Sequence, residues 1–423
     1  MQASLNSYTS NIFLYVFARF WGIFKLKTPS FDTEHVNKQI ESILRCGDPK
    51  FGFSQYMCLH CVQDGKVVAH SCKSKFCLRC GRVEGENFAA SIANKLHQDV
   101  DYRHMTLTIP SQYRNIFYEN RYDPDFWNNF FQLGWEFVKE MMREITGLDL
   151  ECGCLIVLHT VGRKCDYKPH LHVMLMSGGI TPDGNWLSLG YFDYSILCRL
   201  WKKVLLAGMR KWDKEGKHED VFRETEKYVG FYTNLDSNPA PRKRRALIRY
   251  LSKYLCRPQI SLKRILGFSE KTKEIVYKYQ SHETGKVELE RCGVLTFVER
   301  MAQQILPYRF KRIRYYGLQA PSNRSRLTAK VCKALGKLEL HEEVDRRSVA
   351  PMRLSYQELL QIWWNENPFV CRNCGHLMEV VRIWKDGKGW VYNIFERIFG
   401  ADIGPPGVLP DFFKSLDNPL YAQ

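Results

Sequence analysis

The segment KPHLHVML, residues 168–175, places the strongest constraint on the fold of this chain. Histidines and aliphatic residues alternate along it, as in a β-strand whose two faces differ in polarity. Successive side chains of a strand point to opposite faces. His170 and His172 therefore share one face, and the aliphatic residues between and after them share the other. Two parallel imidazoles suit a metal ion, although two hydrogen-bonded histidines in a polar patch also fit this spacing.

The rest of the pattern predicts an α+β fold. CLIVLHT, residues 154–160, and the two-histidine segment are joined by a short polar turn, which indicates an antiparallel hairpin. HMTLTIP, residues 104–110, reads as a further strand, and residues 274–290 as a second hairpin. Apolar residues at helical spacing predict helices over residues 33–45, 84–97, 123–145, 195–212, 245–257 and 295–305.

Charge points to a polyanionic partner. The chain has 423 residues, with 62 Lys and Arg against 45 Asp and Glu, a net charge of +17. A surplus of this size favours nucleic acid, and the 13% of aromatic residues can supply surfaces for base stacking. A basic surface without a partner is the alternative.

Fifteen cysteines are unevenly placed, with six between residues 46 and 80. Paired C-x-x-C motifs in a long chain indicate zinc in a reducing cytoplasm rather than a disulfide framework. The two motifs in this block are separated by fifteen residues, which predicts one four-cysteine structural zinc site. Cys72 can replace one ligand or join Cys46 in a second site. The predicted zinc ligands are Cys58, Cys61, Cys77 and Cys80, with Cys72 and Cys46 as further candidates.

A third C-x-x-C motif, Cys371 and Cys374, is followed by no other cysteine and is half of a site. His376 is a candidate third ligand. A remnant that binds no metal is the alternative interpretation.

Tyr250 and Tyr254 lie four residues apart in RYLSKYLCRP, so a helix would place both phenols on one face. The flanking leucines also fit an ordinary buried stripe. Cations on the same helix are expected to make the phenols easier to deprotonate. A tyrosinate beside a histidine-bound metal could attack a phosphodiester and form a covalent phosphotyrosine.

These features together resemble the HUH endonucleases, and more closely the two-tyrosine rolling-circle transposases of the IS91 type. The resemblance covers roughly residues 40–336. It rests on SCKSKFCLRCG, RHMTLTIP, the two-histidine segment, RYLSKYLCRPQIS and ILPYRFKRIRYYGLQA, in that order. Phe76 and Leu78 depart from the histidine and proline that relatives often carry there, without removing a thiol.

The resemblance implies a central antiparallel sheet with packed helices, preceded by a small cysteine-rich zinc-binding domain. It implies that His170 and His172 bind Mg²⁺ or Mn²⁺, with His159 as third ligand and Asp166 in reserve. It also implies that Tyr250 and Tyr254 are the nucleophiles. Tyr250 is the first choice for the initiating nucleophile, and an exchange or sharing of the two roles is the alternative. The implied activity is a transposase that nicks and rejoins single-stranded DNA at insertion-sequence ends through a 5′-phosphotyrosine.

Basic residues are expected to contact this DNA, chiefly single-stranded element ends and target. The candidates are Lys73, Lys75, Arg242, Lys243, Arg244, Arg245, Arg249, Lys253, Arg257, Arg309, Lys311, Arg312 and Arg314. A plasmid replication initiator or relaxase shares the histidine and tyrosine chemistry. A zinc-dependent DNA-binding protein without activity is the non-enzymatic alternative.

The expected domains are an apolar N-terminal extension (1–30), a zinc-binding DNA-contacting domain (31–97), a catalytic domain (98–336) and a C-terminal region of uncertain role (337–423). The very apolar residues 11–24 are shorter than a membrane span and are expected to form a helix that packs on the body or a partner. No stable membrane association is expected, and a bacterial cytoplasmic, nucleoid-associated location is predicted.

Overall fold

The computed structural model describes residues 11–256, 258, 260–281, 284–337, 367 and 369–399. Helices and antiparallel sheets alternate along it, which confirms the α+β class. The helices are α1 (Ile12–Lys27), α2 (Glu34–Leu44), α3 (Cys80–Ala93), α4 (Arg114–Glu119), α5 (Pro124–Thr146), α6 (Tyr194–Trp212), α7 (Glu219–Glu226), α8 (Arg244–Leu251), α9 (Val294–Ala302), α10 (Arg324–Ala334) and α11 (Ile394–Phe399). The strands are β1 (Gly52–Met57), β2 (Gly65–Ala69), β3 (Tyr102–Thr108), β4 (Gly153–Val161), β5 (Tyr167–Met176), β6 (Gly178–Ile180), β7 (Trp186–Ser188), β8 (Thr233–Leu235), β9 (Ile265–Ser269), β10 (Glu274–Gln280), β11 (Val287–Gly293), β12 (Ile313–Gly317), β13 (Glu379–Lys385) and β14 (Gly389–Asn393).

The chain divides into two compact units. The first contains, of the described residues, 11–21, 37–84, 367 and 369–399, and the second contains 22–36 and 85–337. This grouping differs from the boundaries expected from sequence, because part of the region after residue 337 joins the cysteine-rich block near the N-terminus.

A five-stranded antiparallel sheet forms the centre of the second unit, in the order β12-β4-β5-β3-β8. The predicted hairpin is its β4-β5 pair. Its register sets Val157 opposite His172 and His159 opposite His170. Residues paired in this way on antiparallel strands point to the same face of the sheet, so register alone brings the three histidines together.

Helices α5 and α6 cover one face of this sheet. Asp123 caps α5 by accepting the N–H of Asp125, and Gly147 ends it in the left-handed conformation, with φ 68°. The aromatic face of α5 packs on the aliphatic side of β5, the one predicted by alternation. Gly134 allows the close approach, because a Cβ there would lie 2.8 Å from Leu171 Cδ1.

The opposite face carries the histidines and is covered by α8. Leu155, Val157 and Met174 pack there with Leu251 and Leu255. The helix predicted over residues 245–257 runs as α8 and then widens into a π-helical turn, Ser252–Cys256. Such turns are uncommon and often occur at functional sites. This packing places both tyrosines beside His104 of the neighbouring strand β3.

A smaller antiparallel sheet in the first unit has the order β14-β13-β1-β2. The hairpin β13-β14 lies in the C-terminal region whose role is uncertain from sequence. The apolar N-terminal segment forms α1, whose buried Phe13 and Phe17 contact Phe76 at ring-centroid distances of 5.8 and 5.6 Å. A helix with the length and apolarity needed to cross a membrane does not occur in the described part of the chain.

Candidate active site and metal centres

Three histidines meet on the α8-covered face of the central sheet. His159, His170 and His172 each offer a ring nitrogen, and these atoms lie within 4.8 Å of one another. The Nε2 atoms of His170 and His172 are 3.1 Å apart. Three convergent imidazoles on rigid strands can hold a divalent cation.

Hydrogen bonds behind the ligand atoms orient the rings. The Nδ1–H of His170 donates to Lys168 O at 2.7 Å, which leaves its Nε2 lone pair free. His159 Nε2 lies 3.2 Å from Leu255 O, so this ring is tied to the π-helical turn. His172 Nδ1 lies 2.7 Å from His104 Nε2, an interaction that directs His172 Nε2 toward the other two histidines.

The histidines are held neutral by their surroundings. Burial lowers the pKa of His170 to about 4, and burial lowers the pKa of His159 and of His172 well below the usual histidine range. The charge of Arg312 contributes further to the lowering at His159 and His172. Neutral imidazole is the form that binds metal.

A carboxylate that sequence reasoning missed connects this centre to a tyrosine. The phenol of Tyr250 donates to Asp236 Oδ2 at 2.5 Å, and His104 Nδ1 lies 3.3 Å from the same oxygen. One set of histidine tautomers satisfies this whole series of hydrogen bonds. His172 Nδ1–H donates to His104 Nε2, and His104 Nδ1–H donates to Asp236.

The expectation that the neighbouring cations make the phenols more acidic is wrong for Tyr250. Burial raises the pKa of Tyr250, and the hydrogen bond to Asp236 and its negative charge raise it further. The pKa of Asp236 is lowered, chiefly by its hydrogen bond with His104 and then by that with Tyr250. At neutral pH the phenol of Tyr250 is therefore protonated, and the ionised carboxylate of Asp236 accepts its hydrogen bond.

Tyr254 completes the group. Its ring centroid lies 4.8 Å from that of Tyr250 and 5.3 Å from that of His104. The Lys253 ammonium lies 4.8 Å from the centre of the Tyr254 ring. Both tyrosines therefore lie beside His104, whose Nε2 lies 2.7 Å from His172 Nδ1.

Asp166, the reserve ligand, does not join the metal-binding group. Its carboxylate lies 3.7 Å from Arg114 Nη1, at the turn between β4 and β5. The group of three ring nitrogens therefore includes that of His159 and leaves out the carboxylate of Asp166.

The basic residues predicted to contact DNA differ in their availability. Arg312 lies near the histidines, and its Nε is buried with no hydrogen-bond partner among the described residues. Arg242 forms an ion pair with Asp101 at 2.7 Å, and Arg314 donates to Asn128. Arg242 is exposed, and the other exposed candidates are Lys73, Lys75, Lys243, Arg245, Arg249, Lys253, Arg309 and Lys311. Arg257 and the side chain of Arg244 lie outside the described residues.

The cysteines form two groups in the first unit, and the two predicted C-x-x-C pairs do not share one. Cys46, Cys72, Cys77 and Cys80 lie within 4.8 Å of one another, and Cys46 Sγ is 3.3 Å from Cys80 Sγ. Both extra thiols are thus members of this cluster. Cys58 and Cys61 instead meet Cys371 and Cys374. Spacing along the chain could not show this, because the partner pair lies beyond residue 370.

Two parts of the chain match known protein families. Residues 16–109 match a family described as "Transposase zinc-binding domain", and residues 153–326 match one described as "Putative transposase". The cluster of Cys46, Cys72, Cys77 and Cys80 lies inside the first match, and this donor set fits a structural Zn²⁺. His159, Asp236 and both tyrosines lie inside the second.

Two relatives span most of the chain. One is the "Transposase for insertion sequence element IS801" of Pseudomonas savastanoi pv. phaseolicola. The two sequences are 24% identical over an alignment that covers 80% of this chain and 82% of the relative's length. Another is "Putative transposase y4qJ" of Sinorhizobium fredii. It is 23% identical to this chain, and the alignment covers 81% of this chain and 89% of the relative's length. No solved structure matches the chain.

Proposed function

This chain is an IS91-type transposase with an N-terminal zinc-binding domain, and we propose that it cuts and rejoins single-stranded DNA through a covalent phosphotyrosine. The observation that carries the proposal is the convergence of three neutral histidines, two tyrosines and Asp236 on one face of the central sheet. This combination supplies a metal site, nucleophiles and a proton acceptor within one group of contacts.

The histidine centre would hold Mg²⁺ or Mn²⁺ through His159, His170 and His172. A bound divalent ion polarises a phosphate oxygen and stabilises the charge that develops during displacement at phosphorus. The neutral state of the rings and their hydrogen-bonded back sides favour such binding, because no proton has to leave the ligand atoms first.

Tyr250 would be the first nucleophile. Its Oη attacks phosphorus, its proton passes to Asp236, and the bond from phosphorus to the 3′ oxygen breaks. The leaving 3′ oxygen takes up a proton and becomes a free hydroxyl, while the 5′ phosphate stays on the tyrosine. The hydrogen bond to Asp236 positions the phenol and places a carboxylate where it can take the proton as the Oη attacks.

Tyr254 would perform the second transfer. Its ring packs against that of Tyr250, so a strand held on one phenol lies near the other. A second phenol allows a new covalent link to form while the energy of the first phosphodiester is conserved. Arg312 would contact the phosphate, because its guanidinium lies near the histidines and its buried Nε has no partner among the described residues.

A denaturing gel tests the proposal. The protein is incubated with single-stranded oligonucleotides from the ends of its own element, with and without Mg²⁺ or Mn²⁺, and the products are separated under conditions that unfold it. We expect a metal-dependent protein–DNA adduct and a released fragment with a free 3′ hydroxyl. The adduct should be absent from Tyr250→Phe/Tyr254→Phe and retained in Tyr191→Phe, a control at a tyrosine that is 77% exposed.

Binding of these oligonucleotides without any cleavage, by a protein that carries its zinc, would contradict the proposal. The chain would then be a DNA-binding protein. Cleavage of the same sequence only as a duplex would contradict the single-stranded substrate.

A further inference from the structure

The second cysteine cluster has the dimensions of a metal centre. Cys58 Sγ lies 3.4 Å from Cys374 Sγ, and Cys61 Sγ lies 3.4 Å from Cys371 Sγ. Bonds of about 2.3 Å from zinc to sulfur place tetrahedral thiolates about 3.8 Å apart, whereas a disulfide needs about 2.05 Å. All four cysteines are free, and their sulfurs lie within 4.8 Å of one another.

The two halves of this cluster have the same local backbone. Val62 N donates to Cys58 O at 2.9 Å, and Gly375 N donates to Cys371 O at 3.0 Å. The residue after the second cysteine is left-handed in both, with φ 58° at Val62 and 74° at Gly375. Glycine adopts this conformation readily, but a β-branched valine rarely does. Val62 therefore marks a backbone shape that the motif requires.

Backbone amides in both halves are directed at the sulfurs. The N–H groups of Cys61 and His60 point to Cys58 Sγ, and that of His376 points to Cys374 Sγ. The two halves are also joined directly, since Arg372 N donates to Asp64 Oδ2 at 2.9 Å.

We propose that Cys58, Cys61, Cys371 and Cys374 bind a second Zn²⁺, which joins the hairpin β13-β14 to the N-terminal hairpin β1-β2. Cys371 and Cys374 lie outside both regions that match known families. The hairpins are paired through β1 and β13, from Gly52 opposite Lys385 to Met57 opposite Glu379. The zinc would close the end of this sheet.

The small apolar core beside the cluster supports this role. Phe369 and Met378 are the buried non-cysteine members, and Tyr56 and Val68 pack against them. A core of this size gives little stability by itself, and small domains commonly depend on a metal for this reason.

Two exposed histidines offer an alternative ligand set. His60 and His376 stack with ring centroids 3.8 Å apart, and together with Cys374 they form another group of possible ligands. The four thiols fit better, because Cys58 and Cys371 are buried and every thiol has an opposing thiol at short distance. Zinc also prefers a closed thiolate set in structural sites.

Zinc content of the full-length chain is the first test. It is measured in the His170→Gln/His172→Gln background, so that the histidine centre does not contribute. We expect two zinc ions per chain, and one in Cys371→Ser/Cys374→Ser. Cys198→Ser/Cys292→Ser, which removes two thiols outside both clusters, should retain two. One zinc in the starting protein, or two in the Cys371→Ser/Cys374→Ser variant, would overturn the proposal.

X-ray absorption at the zinc edge covers the case in which the variant does not fold, because it uses unaltered thiols. Two tetrathiolate sites require an average of four sulfur ligands per zinc at about 2.3 Å. A nitrogen shell from His60 or His376 would contradict the four-thiol assignment. Neither readout depends on DNA cleavage, so this proposal and the proposed function can fail separately.

Hydrogen exchange followed by mass spectrometry tests the joining role. Peptides covering β13 and β14 should lose protection in Cys371→Ser/Cys374→Ser but keep it in Cys198→Ser/Cys292→Ser. Unchanged protection in the first variant would show that the sheet closes without the metal.

Discussion

The histidine centre and the cysteine clusters are both built from metal-binding side chains, but the chain assembles them in opposite ways. The histidines come from two adjacent strands, and the β4-β5 register brings them together. In the second cysteine cluster, Cys58 and Cys371 are separated by more than three hundred residues. The first arrangement is a rigid scaffold that presents ligands, whereas the second needs its metal to hold remote segments together. We therefore expect loss of metal to stop chemistry at one and to loosen structure at the other.

Removal of two histidine ligands should have the largest effect on activity. His170→Gln/His172→Gln should reduce metal-dependent cleavage by about 10³-fold or more, since loss of the metal's charge stabilisation is worth several kcal/mol. Thermal unfolding and zinc content should change little. His218→Gln, a histidine of the same unit that lies away from the centre, is the control. Retained cleavage in the double variant would show that His170 and His172 take no part in the reaction.

Metal-removing reagents should affect the histidine centre and the cysteine clusters differently. EDTA should abolish cleavage, and added Mg²⁺ or Mn²⁺ should restore it, without a change in the unfolding transition. A mercurial that removes zinc from thiolates should lower the unfolding temperature, because structural zinc contributes directly to folding. Calorimetry with parallel zinc analysis measures both. An EDTA-induced drop in unfolding temperature without loss of zinc would contradict a rigid histidine scaffold.

Asp236→Asn should have an intermediate effect. Groups that orient metal ligands typically change activity by 10–100-fold, and Asp236 also accepts the proton of Tyr250. The carboxylate raises the pKa of Tyr250, so its removal should lower that pKa and shift the alkaline rise of the cleavage rate to lower pH. Asp183→Asn, at an exposed turn, should leave the pH profile unchanged.

A uniform loss of rate with an unmoved pH profile in Asp236→Asn would assign Asp236 a structural role only. The comparison of the two profiles therefore separates positioning of the nucleophile from general stability.

Neutralising the exposed cations of α8 and its N-cap should have the smallest effect. Neutralising Lys243, Arg245 and Arg249 should make the salt dependence of single-strand binding shallower by about 2 in the log–log slope, at roughly 0.7 per phosphate contact. The matched control is Lys211→Gln/Lys214→Gln/Lys227→Gln, on the side of the sheet covered by α6 and α7. Equal salt-dependence slopes for the two triple variants would show that the DNA does not contact α8.

The sequence predicted the parts of this centre that depend on local pattern. Alternation along β5 was sufficient to assign the faces of His170 and His172, and the short hairpin turn made His159 a neighbour. The four-residue spacing kept Tyr250 and Tyr254 together even though a π-helical turn follows Leu251.

What the sequence could not show depends on contacts between distant segments. His104 lies in a recognised strand, but only pairing of β3 with β5 places it beside His172. Asp236 follows a short edge strand and carries no periodic signal. The partners of Cys58 and Cys61 were hidden for the same reason, and the raised pKa of Tyr250 followed from a burial and a carboxylate that no motif reveals.

The most direct measurement is the mapping of the covalent adduct by mass spectrometry. The protein is reacted with an element-end oligonucleotide and metal, the DNA is trimmed with nuclease, and the peptides are sequenced. The proposed chemistry predicts a nucleotide linked through its 5′ phosphate to Tyr250, to Tyr254, or distributed between them, and no adduct in His170→Gln/His172→Gln. A nucleotide on any other residue, or efficient cleavage without an adduct, would contradict the phosphotyrosine mechanism.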